Sequence, residues 1–423
     1  KLLPLALCLL AASPHAQGDA VRESRAHAQR AAAAYKAKDF AGYLEHMRRA
    51  VALRPDHPTM LYNLAGAEAL AGDRAEAARL LARLAAMGLS YPADKDEDFA
   101  SIKEAAEFRA AVRKFAANRE PAGEVAPAFT LGEKGLVTEG VAYDPADGAF
   151  YVSSVYRRKI IRVGRVGAAR DFAGAADGLW SVFGLKVDAR RRHLWATTAA
   201  HAQMEGFREE EDGRAAVLKF DLRTGRLLGR YDLPNRPERR LLGDLVLTAD
   251  GDVFATDSLS PAVYRLRRGG DRLELFKAGA PFASPQGLDL SPDGRTLFVA
   301  DYSKGVFALD LRTREARPLA HPSDAMLLGI DGLYFHRGAL IAVQNGANPQ
   351  RVVRLRLSRA LDRVERLEVL AAALPAFDEP TLGVVSGDLF YFVANSQWSA
   401  VGLKGQMAPP DRLRPHVILK LKL

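Results

Sequence analysis

Six positions in the C-terminal two thirds of the chain open successive apolar strands, and most carry an oxygen: Glu139, Phe183, the pair Gly243-Asp244, Gln286, Asp331 and Glu379. A second set closes the strand that follows each one: Ser154, Thr198, Asp257, Asp301, Asn345 and Asn395. Carboxylate and amide oxygens gathered in this way suit a hard cation such as Ca2+, which takes roughly six to eight oxygen ligands in adaptable geometry. Zinc suits them poorly, because no His-x-x-x-His and no close pair of histidines lies near these positions. Asp257 and Asp301, in ATDS and VAD stretches at strand ends, are expected to cap turns. No G-x-S-x-G elbow, Walker loop or dinucleotide fingerprint occurs. His193, His201, His321 and His336 stand alone and are expected on the surface or in packing.

Repetition is what would bring these residues together. The stretches EGVAYDPADGAFYVSS, FGLKVDARRRHLWATT, GDLVLTADGDVFATDS, QGLDLSPDGRTLFVAD, DGLYFHRGALIAVQNG and EPTLGVVSGDLFYFVAN each read as strand, turn, strand. Their turns centre near residues 147, 190, 250, 293, 337 and 387, at intervals of 43, 60, 43, 44 and 50. That is the range of one four-stranded propeller blade. The long interval holds HAQMEGFREEEDG (201–213), expected as a surface loop. Residues 129–423 are therefore predicted to form an all-β, six-bladed β-propeller. The stretch VAPAFTLGE (125–133) is expected to pair with HVILKLKL (416–423), closing the last blade and removing an exposed edge. In an antiparallel blade the start of the innermost strand and the end of the second lie at one face. Both sets of residues are thus predicted around one mouth of a central channel. Trp180, Trp195 and Trp398 are expected as core between blades, or lining a channel that takes a ring or a sugar.

On Glu139-Gly140 opening the first blade, PQGLDLSPDGRTLFVAD in the fourth and Asp331-Gly332 opening the fifth, residues 126–423 resemble the gluconolactonase/regucalcin-like family of six-bladed propellers. The resemblance implies one divalent cation in the channel and, as in many members, hydrolysis of lactones. The family pattern has a metal-binding Glu in blade one, a substrate-side Asn in blade three, a metal-binding Asn in blade four and a metal-binding, proton-transferring Asp in blade five. The matching positions here are Glu139, Gly243, Gln286 and Asp331. Two of them depart from the pattern. Gln286 keeps an amide oxygen but adds a methylene, which moves that oxygen by more than about 1 Å. Gly243 has no side chain, and the adjacent Asp244 is the candidate substrate-side group. The resemblance thus implies Asp331 as the catalytic residue, Glu139, Gln286 and Asp331 as ligands of Ca2+, and Asp244, Glu379 and Asn345 as further channel groups. The implied function is metal-dependent hydrolysis of a small cyclic ester or sugar-derived lactone. The alternative is a non-catalytic module in which helices and propeller form a binding platform.

Residues 21–118 have helical spacing instead. Residues 24–57 fit one 34-residue tetratricopeptide unit, with Ala31 and Ala50 at its small positions, Asp39-Phe40 in the turn and Pro55 at the exit. Tyr43 stands where a small residue is usual. A second unit begins at Pro58, with Gly72-Asp73 in its turn, and a degenerate pair over 98–118 is expected to cap the stack. These helices read either as a groove for a protein or peptide partner or as a short cap on the neighbouring domain. Residues 119–128 form a linker. At the start, Lys1, the apolar run Leu2–Ala12 and small residues ending near Ala16 read as a signal peptide, 1–16, too short to span a bilayer. A periplasmic or secreted protein is expected after its removal. Cys8, the one cysteine, lies within it, so thiol chemistry is excluded from the remainder. Sixty Lys and Arg against 51 Asp and Glu make a mild, scattered excess, which argues against nucleic-acid binding.

Overall fold

The computed structural model of the chain describes residues 19–234 and 237–423. The expected signal segment 1–16, with Cys8, lies outside the described residues. Among the described residues no helix is long and apolar enough to cross a membrane.

The N-terminal region is helical: α1 (Asp19–Lys36), α2 (Phe40–Leu53), α3 (Pro58–Leu70), α4 (Arg74–Ala86) and α5 (Ala106–Asn118). The turn residues act as caps. Asp39 accepts from Gly42 N at 2.9 Å to start α2, and Asp73 accepts from Glu76 N at 3.0 Å to start α4. Each satisfies a backbone donor that the first helical turn leaves open. α3 is buried on nearly every side, from Met60 to Ala69. One face is covered by the chain's own segment 91–102. Tyr91 stacks on Tyr62 at 4.4 Å, Phe99 meets the same ring edge-on, Tyr62 donates to Asp96 at 2.8 Å and Tyr35 to Asp98 at 2.7 Å.

Beyond α5 lie six four-stranded antiparallel sheets, a six-bladed propeller, which is the fold class expected. The innermost strands are Thr138–Asp144, Ser181–Asp188, Leu242–Leu247, Pro285–Leu290, Gly332–His336 and Gly383–Ser386. The strand Val125–Leu131 pairs with His416–Lys422, so the sixth sheet contains both the first and the last strand of the propeller.

Neighbouring blades are joined around the channel by one recurring device. Ser153 Oγ donates to Phe183 O (2.7 Å), Thr197 Oγ1 to Gly243 O (3.3 Å) and Thr256 Oγ1 to Gln286 O (2.6 Å). Gly287 N donates to Asp331 O (2.7 Å), Gly383 N to Tyr334 Oη (2.5 Å) and Thr381 Oγ1 to Glu139 O (2.7 Å). The six junctions close a ring. Glycine is required where the blades approach most closely. A Cβ on Gly140 would stand 2.3 Å from Phe183 O, and one on Gly287 2.5 Å from Asp331 O.

The helical region docks on blades four and five. Met326 and Ala347 are buried in the same apolar cluster as Leu61, Leu81 and Phe99. Ala122 of the linker pairs with Ala372, the last residue of blade five's outermost strand. The stretch 201–213 is a loop, but not merely a surface one. His201, Met204 and Glu211 are buried, and Gln203 Nε2 reaches Val401 O at 3.1 Å.

Candidate functional site

The carbonyls in the inter-blade ring belong to Glu139, Phe183, Gly243, Gln286 and Asp331, the residues expected to open the innermost strands. Tying each carbonyl to the preceding blade fixes the backbone from which the side chain projects. The sixth position differs from expectation. Thr381, not Glu379, is equivalent: its carbonyl faces Gly332 as Asp331 O faces Gly287, and Leu382 N donates to Glu139 O (3.1 Å) as Gly287 N does to Asp331 O. Glu379 lies two residues earlier at φ +60°, with Oε2 accepting from Ser399 N at 3.2 Å. The Pro380 that follows separates it from the strand proper.

Glu139 and Asp331 are both buried, 8% and 9% exposed. Each has one oxygen engaged. Trp398 Nε1 donates to Glu139 Oε2 (2.8 Å), and Asn345 Nδ2 donates to Asp331 Oδ2 (2.8 Å). Burial pushes the Glu139 carboxyl well above the usual range, and the charge of Asp331 adds to the effect. Burial lifts Asp331 to about 7. The Asn345 hydrogen bond opposes this rise, while Asp244 and Glu379 reinforce it. The pair thus resists carrying two negative charges without a compensating cation or proton.

Gln286 Nε2 donates to Ser284 Oγ (3.2 Å), and its Oε1 lies 3.4 Å from where a Cβ on Gly243 would stand. The two departures from the expected pattern are therefore adjacent, a Cβ at 243 standing at ordinary contact distance from the Gln286 amide oxygen. Among the described residues, Glu139 Oε1, Asp331 Oδ1 and Gln286 Oε1 have no hydrogen-bond donor on the protein. These are hard oxygen donors, the kind Ca2+ takes. No three His, Cys, Asp or Glu side chains form a metal-holding group among the described residues. A cation would rest on two carboxylates, the Gln286 amide oxygen and water.

Asp244 stands one residue further along its strand, 1% exposed, at the position that is glycine in blades one, two, four and five. Lys186 Nζ is 3.7 Å from its Oδ1, and its Oδ2 is buried without a partner. Burial raises its pKa, and Lys186 opposes the rise. Lys186 also lies over the Tyr334 ring at 4.9 Å. Asp244 is therefore paired through Oδ1 with Lys186 of the neighbouring blade.

The second-strand ends share the rim, but most are turned into loop capping. Thr198 Oγ1 accepts from Trp180 N (3.0 Å), and Ser154 Oγ donates to Leu136 O. Asp257 Oδ1 accepts from Leu241 N (3.1 Å), Asp301 Oδ2 from Ala283 N (2.6 Å), and Asn395 Oδ1 from Val417 N (2.7 Å). Asn345 alone hydrogen-bonds a channel carboxylate.

Three features were not expected from sequence. Trp398 is a hydrogen-bond partner of Glu139 and stacks over Phe183 at 6.4 Å. His201 leans on both rings, at 5.7 Å from Phe183 and 6.0 Å from Trp398. The hydroxyls of Ser153, Thr197 and Thr256 hold the inter-blade ring. Only the last had a sequence signal, a Ser or Thr directly before each capping residue in VSS, ATT and ATD.

No protein-family model and no curated protein sequence matches the chain. Solved structures resemble its propeller. A gluconolactonase from Xanthomonas campestris is 18% identical, covers 72% of this chain and 99% of its own, with a TM-score of 0.47. A virginiamycin B lyase from Staphylococcus aureus is 18% identical over 69% of this chain and 83% of its own, TM-score 0.45. The calcium-binding protein regucalcin from Agrobacterium tumefaciens is 14% identical over 70% and 93%, TM-score 0.48. These likenesses concern the propeller fold alone.

Proposed function

We propose that the channel mouth binds a small cyclic ester, such as a lactone, and opens it with water. The observation that carries this reading is the buried pair Glu139 and Asp331, each with one carboxylate oxygen held and the other free. Glu139 Oε1, Gln286 Oε1 and Asp331 Oδ1 would hold a divalent cation, calcium by donor type. The chemistry it supplies when bound is polarisation of the ester carbonyl and stabilisation of the oxyanion.

The rest is done by the chain. The Asp331 carboxylate accepts a proton from the attacking water as the water oxygen bonds to the carbonyl carbon. The ring C–O bond then breaks, and the same carboxyl returns the proton to the leaving alkoxide, giving a hydroxy acid. Burial lifts this carboxyl towards neutrality in the cation-free site, and a cation beside it would favour the ionised form that accepts the water proton. Asn345 and Trp398 keep the two carboxylates oriented. Asp244 and Glu379 contribute charge to the site.

In this reading the α1/α2 and α3/α4 pairs are tetratricopeptide-type units, and the protein works in the periplasm or outside the cell after loss of residues 1–16. The alternative, a non-catalytic platform holding a protein or peptide partner, needs an open helical face. Segment 91–102 covers one face of α3, which favours the enzymatic reading. The test is Ca2+ and Mn2+ titration of wild type and Asp331→Ala by thermal shift, followed by a panel of lactones. Metal stabilisation and turnover, both lost in Asp331→Ala, are expected. Flat titrations together with no turnover of any lactone would sink the proposal.

A further inference from the structure

Two loops of blade five flank Asp331: residues 326–329 just before it, and residues 344–351 after the second strand. Both are held by the helical region. Met326 and Ala347 are buried in its core, with Leu328 packed against it. Ser90 N donates to Asn348 O (2.8 Å), and Asn348 Nδ2 donates to Ser90 O (2.9 Å). Arg351 is fully buried and among the described residues has no carboxylate partner. Its Nη1 donates to Met87 O (2.7 Å) at the C-terminal end of α4, where the helix dipole concentrates negative charge. Its Nε donates to Gln344 Oε1 (2.6 Å). Gln344 Nε2 then donates to Met326 O (2.8 Å) and Leu328 O (2.7 Å), tying the two loops together. The next residue is Asn345. Its Oδ1 accepts from Tyr302 (3.1 Å) and its Nδ2 donates to Asp331 Oδ2 (2.8 Å).

We propose that the helical region is a working wall of the channel site: by clamping loops 326–329 and 344–351 it fixes Asn345, and through Asn345 the direction of the free Asp331 oxygen. Arg351, Gln344 and Asn345 are positioning residues that need touch no ligand. The coupling stands on these contacts alone, and its consequence for a cation rests on the function proposed above. A carboxylate bound by one side-chain donor rotates when that donor moves. Ligand placement tolerates only about half an ångström of error.

The test uses the full chain and two readouts. Hydrogen exchange, resolved by peptide, compares wild type with Asn348→Ala and Arg351→Met. Met47→Ala, on α2, serves as a control that destabilises the helical region without touching the Ser90, Asn348 and Arg351 hydrogen bonds. The amides to watch are Asp331, which donates to Val343 O, and Gly287, which donates to Asp331 O. Asn348→Ala is expected to speed exchange about fivefold at 344–351 and also at both of those amides, while Met47→Ala leaves the two unchanged. Titration with Ca2+ alone is expected to show binding weakened about tenfold in Asn348→Ala and Asn345→Leu. Exchange that stays within 344–351 overturns the proposal. So does spreading exchange with unchanged Ca2+ affinity, since the wall would then not serve the site. Spreading exchange in a wild type that binds no Ca2+ upholds the wall and removes the cation instead. If Arg351→Met does not fold, Asn348→Ala carries the test alone.

Discussion

The two carboxylates at the mouth face the same problem, burial of charge, and are held from opposite sides by different means. Glu139 is held by Trp398, carried on the blade-six insertion 394–415, which is braced by the loop 201–213 through Gln203 and Val401. That is loop against loop, with Val401, Trp398 and Met407 seated on an apolar cluster that includes Val137 and Phe183, all within the propeller. Asp331 is held by Asn345, whose loop is anchored in the core of a second domain. The Glu139 side should open by movement of its loops within the propeller, at lower free-energy cost than the Asp331 side, which opens only with the domain contact. One site thus has a yielding wall and a stiff one.

The contrast breaks most visibly at its stiff side. Met326→Ala removes a fully buried side chain from the core shared by helices and propeller, and should cost roughly 2–5 kcal/mol in a urea unfolding titration. A smaller loss would mean the domain contact is loose. On the yielding side, Trp398→Phe keeps an aromatic ring but removes the indole N–H bond to Glu139. It should cost roughly 1.5–3 kcal/mol, the range for a hydrogen bond to a charged group. It should also abolish any tryptophan fluorescence response to Ca2+, because Trp180 and Trp195 are buried elsewhere.

Acid should sharpen the comparison next. Burial holds His201, beside Trp398, down to about 4. Between pH 6.5 and 4 the unfolded chain binds a proton there that the folded chain does not, so stability falls as pH drops through that window. Roughly 1–2 kcal/mol should be lost by pH 5 and restored in His201→Phe, read from urea midpoints at pH 5 and 7. A variant with the same pH dependence as wild type would show that His201 is not the group responsible. The smallest effect is expected at the ring between blades. Thr381→Val removes one of two donors to Glu139 O and should cost about 0.5–1.5 kcal/mol by the same titration.

The strand–turn–strand repeats and the residues opening them were legible because a propeller writes its period into the chain. Four of the six inner strands carry a glycine at the blade contact, and a polar turn follows each. Glu139, Gln286 and Asp331 could be found by counting from those turns. Glu379 misled because Glu-Pro-Thr opens blade six with an extra turn, so the count ran two residues early. Asp244 was legible as acidic but not as the partner of Lys186, which comes from a different blade. The donors to the two carboxylates were less visible still. Asn345 looks like any of six strand-end residues, and Trp398 like any core aromatic.

The sequence by itself determined the six blades, the helical region before them and the oxygen-rich mouth, because periodicity and turn chemistry act over a few residues. Folding set which oxygens stay free, that position 243 adjoins Gln286, and that the helices stand as a wall behind Asp331. Those depend on groups far apart in the chain, such as Met87 with Arg351 and Glu139 with Trp398. Only closure of the ring and docking of the helices bring such groups within hydrogen-bonding distance.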